Sequence, residues 1–201
     1  MRTKSEVRRD AIMTVAQEVF REVGFEAASM SQIAARVGGS KATLYNYFSS
    51  KEELLLQAML HSADNHVNDM LQILKTSGDL PVQLHRFVAS LIKIMNDETT
   101  IKNIRVAISV GGTSDIGRQF FALGPHKVWT EISNLLRKEI ERGKLRNEDP
   151  DAMATLLNAL CEADTIRNLM GAGSPMNEKE MEQRAECIVD IFLRVYGCKQ
   201  Q

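Results

Sequence analysis

Along almost the whole chain, apolar side chains recur every three or four residues, the spacing that lines one face of an α-helix. Residues 5–23 place Val7, Ala11, Val15 and Val19 on one stripe, flanked by Ile12, Ala16 and Phe20, and Gly24 ends the run. Ser29, with Gln32 three residues on, has the form of a capping box and opens a second helix. Ile33, Ala34 and Val37 are its buried stripe, and Gly38-Gly39 closes it. Ser40 caps a third helix, and Ser50, followed by Glu53, caps a fourth. Each such cap contributes about 1 kcal/mol, which holds short helices that propensity alone leaves frayed.

Downstream the predicted helices lengthen. Residues 51–75 form one, closed by "TSGDLP", and 81–96 and 100–110 follow before a break at "GGTSD". The helical period over 115–143 is interrupted at Gly124-Pro125, which should kink or split it. Asp149-Pro150 starts a helix that runs to about Gly171, and Asn177 with Glu180 opens the last one, over 177–197. No alternating pattern of useful length is present, so the fold class is all-α.

The segment Ser40–Phe48 carries the first chemistry. At 100° per residue Leu44 and Phe48 share one face, with Ala42, Thr43 and Asn46 opposite. Tyr45 and Tyr47 stand on the two flanks, about 160° apart. Helix, glycine-containing turn and helix from Ser29 to Phe48 is the layout of a helix-turn-helix, whose second helix enters the DNA major groove. Short residues on its outer face permit close approach, and two flanking phenols and Lys41 would meet phosphates. A structural helix pair with packed tyrosines would produce the same pattern.

Composition changes this picture little. With 201 residues, 44% of them hydrophobic and 25% charged, the chain has the makeup of a soluble globular protein. Its net charge is −1, but through residue 51 eight basic and five acidic side chains give +3, leaving −4 for the rest. That asymmetry permits a polyanion partner only at the N-terminal end. No apolar run is long enough for a membrane span, "MRTKSEVRRD" lacks a signal-peptide core, and three cysteines without ligand spacing fit a reduced cytoplasm. His61 and His66 flank Asp64, but their five-residue spacing misses the helical i, i+4 alignment and reads as a solvated helix. No metal site, cofactor motif or nucleophile–base set is apparent, so no enzymatic role is expected.

The stretch "GFEAASMSQIAARVGGSKATLYNYFSSKEELLLQAM" closely resembles the DNA-binding region of TetR-family transcriptional regulators. The shared features are Gly24, Ser29, Ile33-Ala34, Val37-Gly38, Ser40, Thr43-Leu44-Tyr45, Tyr47-Phe48, Lys51 and Leu54, within the first 60 or so residues. The resemblance implies a three-helix DNA-binding domain over 1–50, with the helix-turn-helix at about 29–48. It also implies a larger ligand-binding and dimerisation bundle over 51–201, joined by the 51–75 helix. Carried over position by position, the DNA contacts are Lys41, Ala42, Thr43, Tyr45, Asn46, Tyr47 and Lys51. Gly39 and Asn46 depart from the commonest family pattern and leave base preference open.

"DIGRQFFALGPHKV" and "ERGKLRNEDPDAMA" are similar to the AefR-like regulatory domain. The implied function is a repressor released from an inverted-repeat operator on double-stranded DNA by a small hydrophobic or aromatic ligand. Alternatives are an activator or ligand-independent DNA binder of the same fold, or a helical ligand-binding or scaffold protein without DNA binding. Phe87, Met95, Phe120, Phe121, Trp129, Asp164 and Arg167 are the pocket candidates. Large apolar side chains at helical spacing are more often plain core than pocket wall, and Asp164 with Arg167 is more often an ion pair, within the helix or at a subunit boundary, than a ligand contact. The 150–197 helices, through Leu156, Leu160, Ala163, Ile188 and Phe192, are the expected homodimer interface. Here Met181, Ala185, Ile188, Phe192 and Val195 make one continuous stripe.

Overall fold

The computed structural model describes residues 3–76 and 78–198; Arg2, Ser77 of the "TSGDLP" break and the tail from 199 lie outside them. Among the described residues there are eleven helices and one isolated antiparallel bridge, Leu145 with Gly197. They are α1 (Lys4–Ala27), α2 (Met30–Val37), α3 (Lys41–Tyr45), α4 (Lys51–Lys75), α5 (Leu80–Asn96) and α6 (Glu98–Gly111). Then come α7 (Ile116–Leu123), α8 (Pro125–Glu141), α9 (Pro150–Cys161), α10 (Thr165–Leu169) and α11 (Glu178–Tyr196).

The chain divides into two compact units, and the division follows the packing rather than the chain order. The first comprises the chain through Asn65 together with Lys102–Gly124; the second comprises His66–Ile101 and everything from Pro125 on. So α4 and α6 each run from one unit into the other.

In the first unit α1 is broken where expected: Gly24 adopts φ 78, ψ 167, a conformation costly for any side chain, and one further turn follows. Its buried stripe is Ile12, Ala16, Val19 and Phe20, whereas Val7 is 57% exposed and Ala11 is also exposed. The expected stripe through Val7 and Ala11 is therefore rotated, because the large Ile12 and Phe20 take the core and the smaller residues yield it. Ile33 and Ala34 of α2, Leu44 and Phe48 around α3, Leu54 and Ala58 of α4, and Val110 and Ile116 of α6 and α7 complete that core.

The second unit packs α5 on α11, and α8 and α11 on α9. Phe87, Leu91, Ile132, Leu136, Leu157 and Phe192 are all buried there. Gln83 reaches the end of α4, where its Nε2 donates to the carbonyls of Leu74 (2.8 Å) and Thr76 (3.0 Å). Asn177 and Glu180 close a full capping box at the start of α11, as the sequence predicts. Asn96 grips the segment before it, donating to the Met176 carbonyl (2.9 Å) and accepting from the Met176 N–H (3.0 Å).

Two expectations fail in this unit. The helix expected over 150–171 breaks at Cys161 and resumes as α10, with no glycine or proline to signal it. In the break Asp164 accepts from Arg184 of α11 at 3.1 Å and also forms the expected ion pair with the largely exposed Arg167, at 3.9 Å. Ile188 and Phe192, expected at a subunit interface, are 2% and 0% exposed within the single chain: they are core.

Candidate nucleic-acid interface

The helix-turn-helix is built by local signals. Ser29 Oγ accepts from the Gln32 N–H (3.2 Å), opening α2, and the helix ends at Gly38 in the left-handed conformation (φ 74). Arg8 of α1 reinforces the turn, donating to the Gly38 carbonyl (3.1 Å). A Cβ at Gly39 would lie 3.0 Å from the Arg8 guanidinium, so the departure at Gly39 leaves room for this cross-link. Ser40 Oγ then accepts from the Thr43 N–H (3.1 Å) and starts α3.

By its helical hydrogen bonds α3 is only five residues long, shorter than the 40–48 helix expected, but the chain continues curling. The Asn46 N–H donates to the Ala42 carbonyl and the Phe48 N–H to the Leu44 carbonyl (3.0 Å), so the face assignment survives. Leu44 and Phe48 are buried; Lys41, Ala42, Tyr45 and Asn46 are exposed. Thr43 is half-buried and shares a hydrogen bond with Ser40 Oγ (2.9 Å). Tyr47 is half-buried and packs on the core, so only Tyr45 stands clear, with the Lys41 ammonium 5.8 Å from its ring centre. The Arg9 guanidinium covers the outer side of Phe48, 5.0 Å from its ring centre, and donates to Gln57 Oε1 (3.2 Å).

Lys51, carried over as a DNA contact, is engaged within the domain itself. Its Nζ donates to the carbonyls of Phe25 (2.7 Å), Ala28 (3.1 Å) and Glu26 (3.4 Å), and sits 4.2 Å from the Phe25 ring centre. An ammonium has three donors, and these carbonyls occupy them. The cation thus closes the negative end of α1 and ties it to the start of α4. Arg36 is likewise committed, to Glu22 through two bonds of 2.5 and 2.8 Å and to Glu18 at 3.6 Å. Arg8, Arg9 and Lys51 act as internal fasteners, which sequence reasoning missed because their partners, backbone carbonyls, the Gln57 side chain and the Phe25 and Phe48 rings, are remote in the chain.

The pocket candidates divide between the two units. Phe120 and Phe121 belong to the first unit, where Phe120 packs on the core shared by α1–α4. Phe87 and Trp129 meet edge to face in the second unit, with centroids 5.7 Å apart. Met95 and Asp164 line a cavity of about 10 Å³ with Cys161, Thr165 and Arg184, enough for one water at most. A larger cleft of about 540 Å³ opens between Leu80, Lys144, Arg146, Leu193 and Gly197, none of them a candidate.

Of the interface candidates, Leu156 is 38% exposed, Ala163 is exposed and Leu160 half-buried. Ile166 and Met170 of the α10 segment, and Ile191 and Val195 of α11, are also exposed. Among the described residues no helix is long and apolar enough to cross a membrane.

Residues 82–198 match the family described as "AefR-like transcriptional repressor, C-terminal domain", and residues 12–58 match "Bacterial regulatory proteins, tetR family". The HTH-type transcriptional activator FasR of Mycolicibacterium smegmatis is 37% identical over 92 residues, 46% of this chain and 42% of that protein. The match thus spans under half the length of that relative. A TetR-family regulator from Mesorhizobium loti superposes with a TM-score of 0.86 at 25% identity, over 98% of this chain and all of the other. The flavonoid-responsive regulator FrrA, at 23% identity, shares the fold with a TM-score of 0.77 over 97% of this chain and 100% of its own. The cap-built recognition helix and the match over residues 82–198 agree, and the chain belongs to the TetR family of transcriptional regulators, with an AefR-like C-terminal domain.

Proposed function

We propose that the chain is a homodimeric repressor that acts in the cytoplasm and leaves an inverted-repeat operator when a small hydrophobic or aromatic ligand binds. The observation that carries the DNA side is α3: Leu44 and Phe48 anchor it, and Lys41, Ala42, Tyr45 and Asn46 project from its open side. Lys41 and Tyr45 serve phosphates, Ala42 and Thr43 set the approach distance, and Asn46 reads base edges. Tyr47 contributes its hydroxyl from a ring fixed on the core. Lys51 holds the α1–α4 junction that aims α3.

Ligand action belongs to the second unit around Phe87, Met95 and Trp129, whose packing must open to admit a guest. Met95 makes that wall adaptable. FrrA, flavonoid-responsive by name, supports an aromatic ligand class. The helices that run through both units, α4 and α6, are the continuous elements that would carry the change. A second reading, activation, is favoured by the name of the mycobacterial relative.

A shift assay with DNA from the protein's own genomic neighbourhood tests the proposal. A symmetric operator should be bound, and Asn46→Ala should relax preference at one or two base pairs by roughly 1–3 kcal/mol each. Compounds that quench or shift Trp129 fluorescence should release the DNA, and a reporter under the operator separates repression from activation. Absence of any bound fragment in that neighbourhood would leave the scaffold role instead.

A further inference from the structure

In the second unit α5 and α11 lie side by side, and their contact brings three metal-ligating side chains together. Each of His85, Glu182 and Glu186 offers one ligand atom, and these atoms all lie within 4.8 Å of one another. Glu182 and Glu186 are one helical turn apart on α11 and so project to the same side. His85 Nε2 is shielded from solvent and lies 3.3 Å from Glu182 Oε1, yet it does not meet hydrogen-bond geometry with any group. Among the described residues, no lysine or arginine pairs with either carboxylate. Two exposed carboxylates and a shielded imidazole nitrogen thus converge on one place with no lysine or arginine among them, a donor set that a cation can join.

We infer that His85, Glu182 and Glu186 form a binding site for a divalent first-row transition ion, with Zn²⁺ as its best-fitting member. One imidazole nitrogen with two carboxylate oxygens is a mixed donor set that zinc accepts, whereas magnesium and calcium favour oxygen alone. Around an ion with bonds of about 2.1 Å, tetrahedral ligand atoms stand roughly 3.4 Å apart. The separation here closes to that by rotation of the Glu182 and Glu186 side chains, both exposed and free to turn. Water completes the coordination, since three protein ligands leave a position open.

The site lies about 140–180° around α11 from Ile191. It therefore faces away from the exposed apolar stripe, and pairing of two chains through that stripe would leave one site on each. Bound metal would clamp α5 to α11. Sequence gave no hint of it, because His85 is remote from the two glutamates in the chain and Glu182 and Glu186 alone are an ordinary solvated pair.

The test uses the full chain, stripped of metal with a chelator and titrated with Zn²⁺ by calorimetry, with Mg²⁺ as the comparison. The expected result is a saturable site of one Zn²⁺ per chain that raises the unfolding temperature, with no comparable response to Mg²⁺. His85→Ala and, separately, Glu186→Gln should each weaken Zn²⁺ binding at least about tenfold and abolish most of the temperature rise. Glu186→Gln is nearly isosteric and on the surface, so it keeps the test open if His85→Ala folds poorly. Zn²⁺ affinity and temperature rise unchanged in both variants would place the ion elsewhere and overturn the inference. So would an equal response to Mg²⁺.

Discussion

Lys51 shows how a cation on a DNA-binding domain can be consumed by the domain itself. Its ammonium makes contacts of 2.7–3.4 Å to three carbonyls at the end of α1 and rests on the Phe25 ring. Hydrogen bonds to a charged group contribute more than neutral ones, so Lys51→Ala should destabilise the chain by about 2 kcal/mol in urea unfolding. Because the charge is spent internally, the salt dependence of operator binding should keep its wild-type slope in that variant. A slope reduced by about one ion would return Lys51 to the phosphate backbone.

At the scale of elements, α3 and α4 are short-range constructions resting on side-chain caps. Ser50 Oγ accepts from the Glu53 N–H (3.0 Å), and the Glu53 carboxylate accepts from both the N–H and the hydroxyl of Ser49 at 2.6 Å. The Ser49 hydroxyl, then its N–H, hold the Glu53 carboxyl below its usual value, against a smaller opposing effect of burial. A folded-state pKa depressed in this way gives stability that is present above the unfolded value and lost as pH falls through the folded one. Wild type should therefore exceed Glu53→Gln in stability at neutral pH, with the gap shrinking below the ordinary value of 4.5. Paired denaturant titrations from pH 7 to pH 3 measure it; a gap independent of pH would remove the carboxylate from the cap.

At the scale of the whole molecule, the second unit leaves two apolar stripes uncovered. Ala152, Thr155, Leu156 and Ala159 line one side of α9, and Cys187, Ile191 and Val195 one side of α11; all are exposed in the single chain. For the homodimer proposed above, these exposed faces of two neighbouring helices are the candidate surface for a twofold pairing. Charges there test assembly without disturbing the core, which substitution at the buried Ile188 or Phe192 would not. Leu156→Glu with Ile191→Glu should give a folded monomer by sedimentation, with operator affinity down at least about a hundredfold from loss of the second half-site. In that monomer the Cys187 thiol should react with alkylating reagents faster than in wild type. Cys161 should stay inert in both, since burial pushes its thiol up to about 12. An unchanged dimer would move the interface to another face.

What the sequence determined by itself is local. Ser40, Ser50, Asn177 with Glu180, Gly24, Gly38 and Gly124-Pro125 mark helix ends because capping, left-handed backbone and a missing N–H act within a few residues. Those signals placed most helix ends within a residue or two, and made the helix-turn-helix legible, with Leu44 and Phe48 inward. Long-range packing decided the rest. It chose Ile12 and Phe20 over Val7 for the core, broke the helix after Cys161 where no residue signals a stop, and turned Ile188 and Phe192 inward. It joined Lys102–Gly124 to the DNA-binding helices, gave Lys51 to the end of α1, and set His85 beside Glu182 and Glu186. Each of these depends on which of two similar faces buries more apolar area, or on a partner distant in the chain. Periodicity along one helix carries neither quantity.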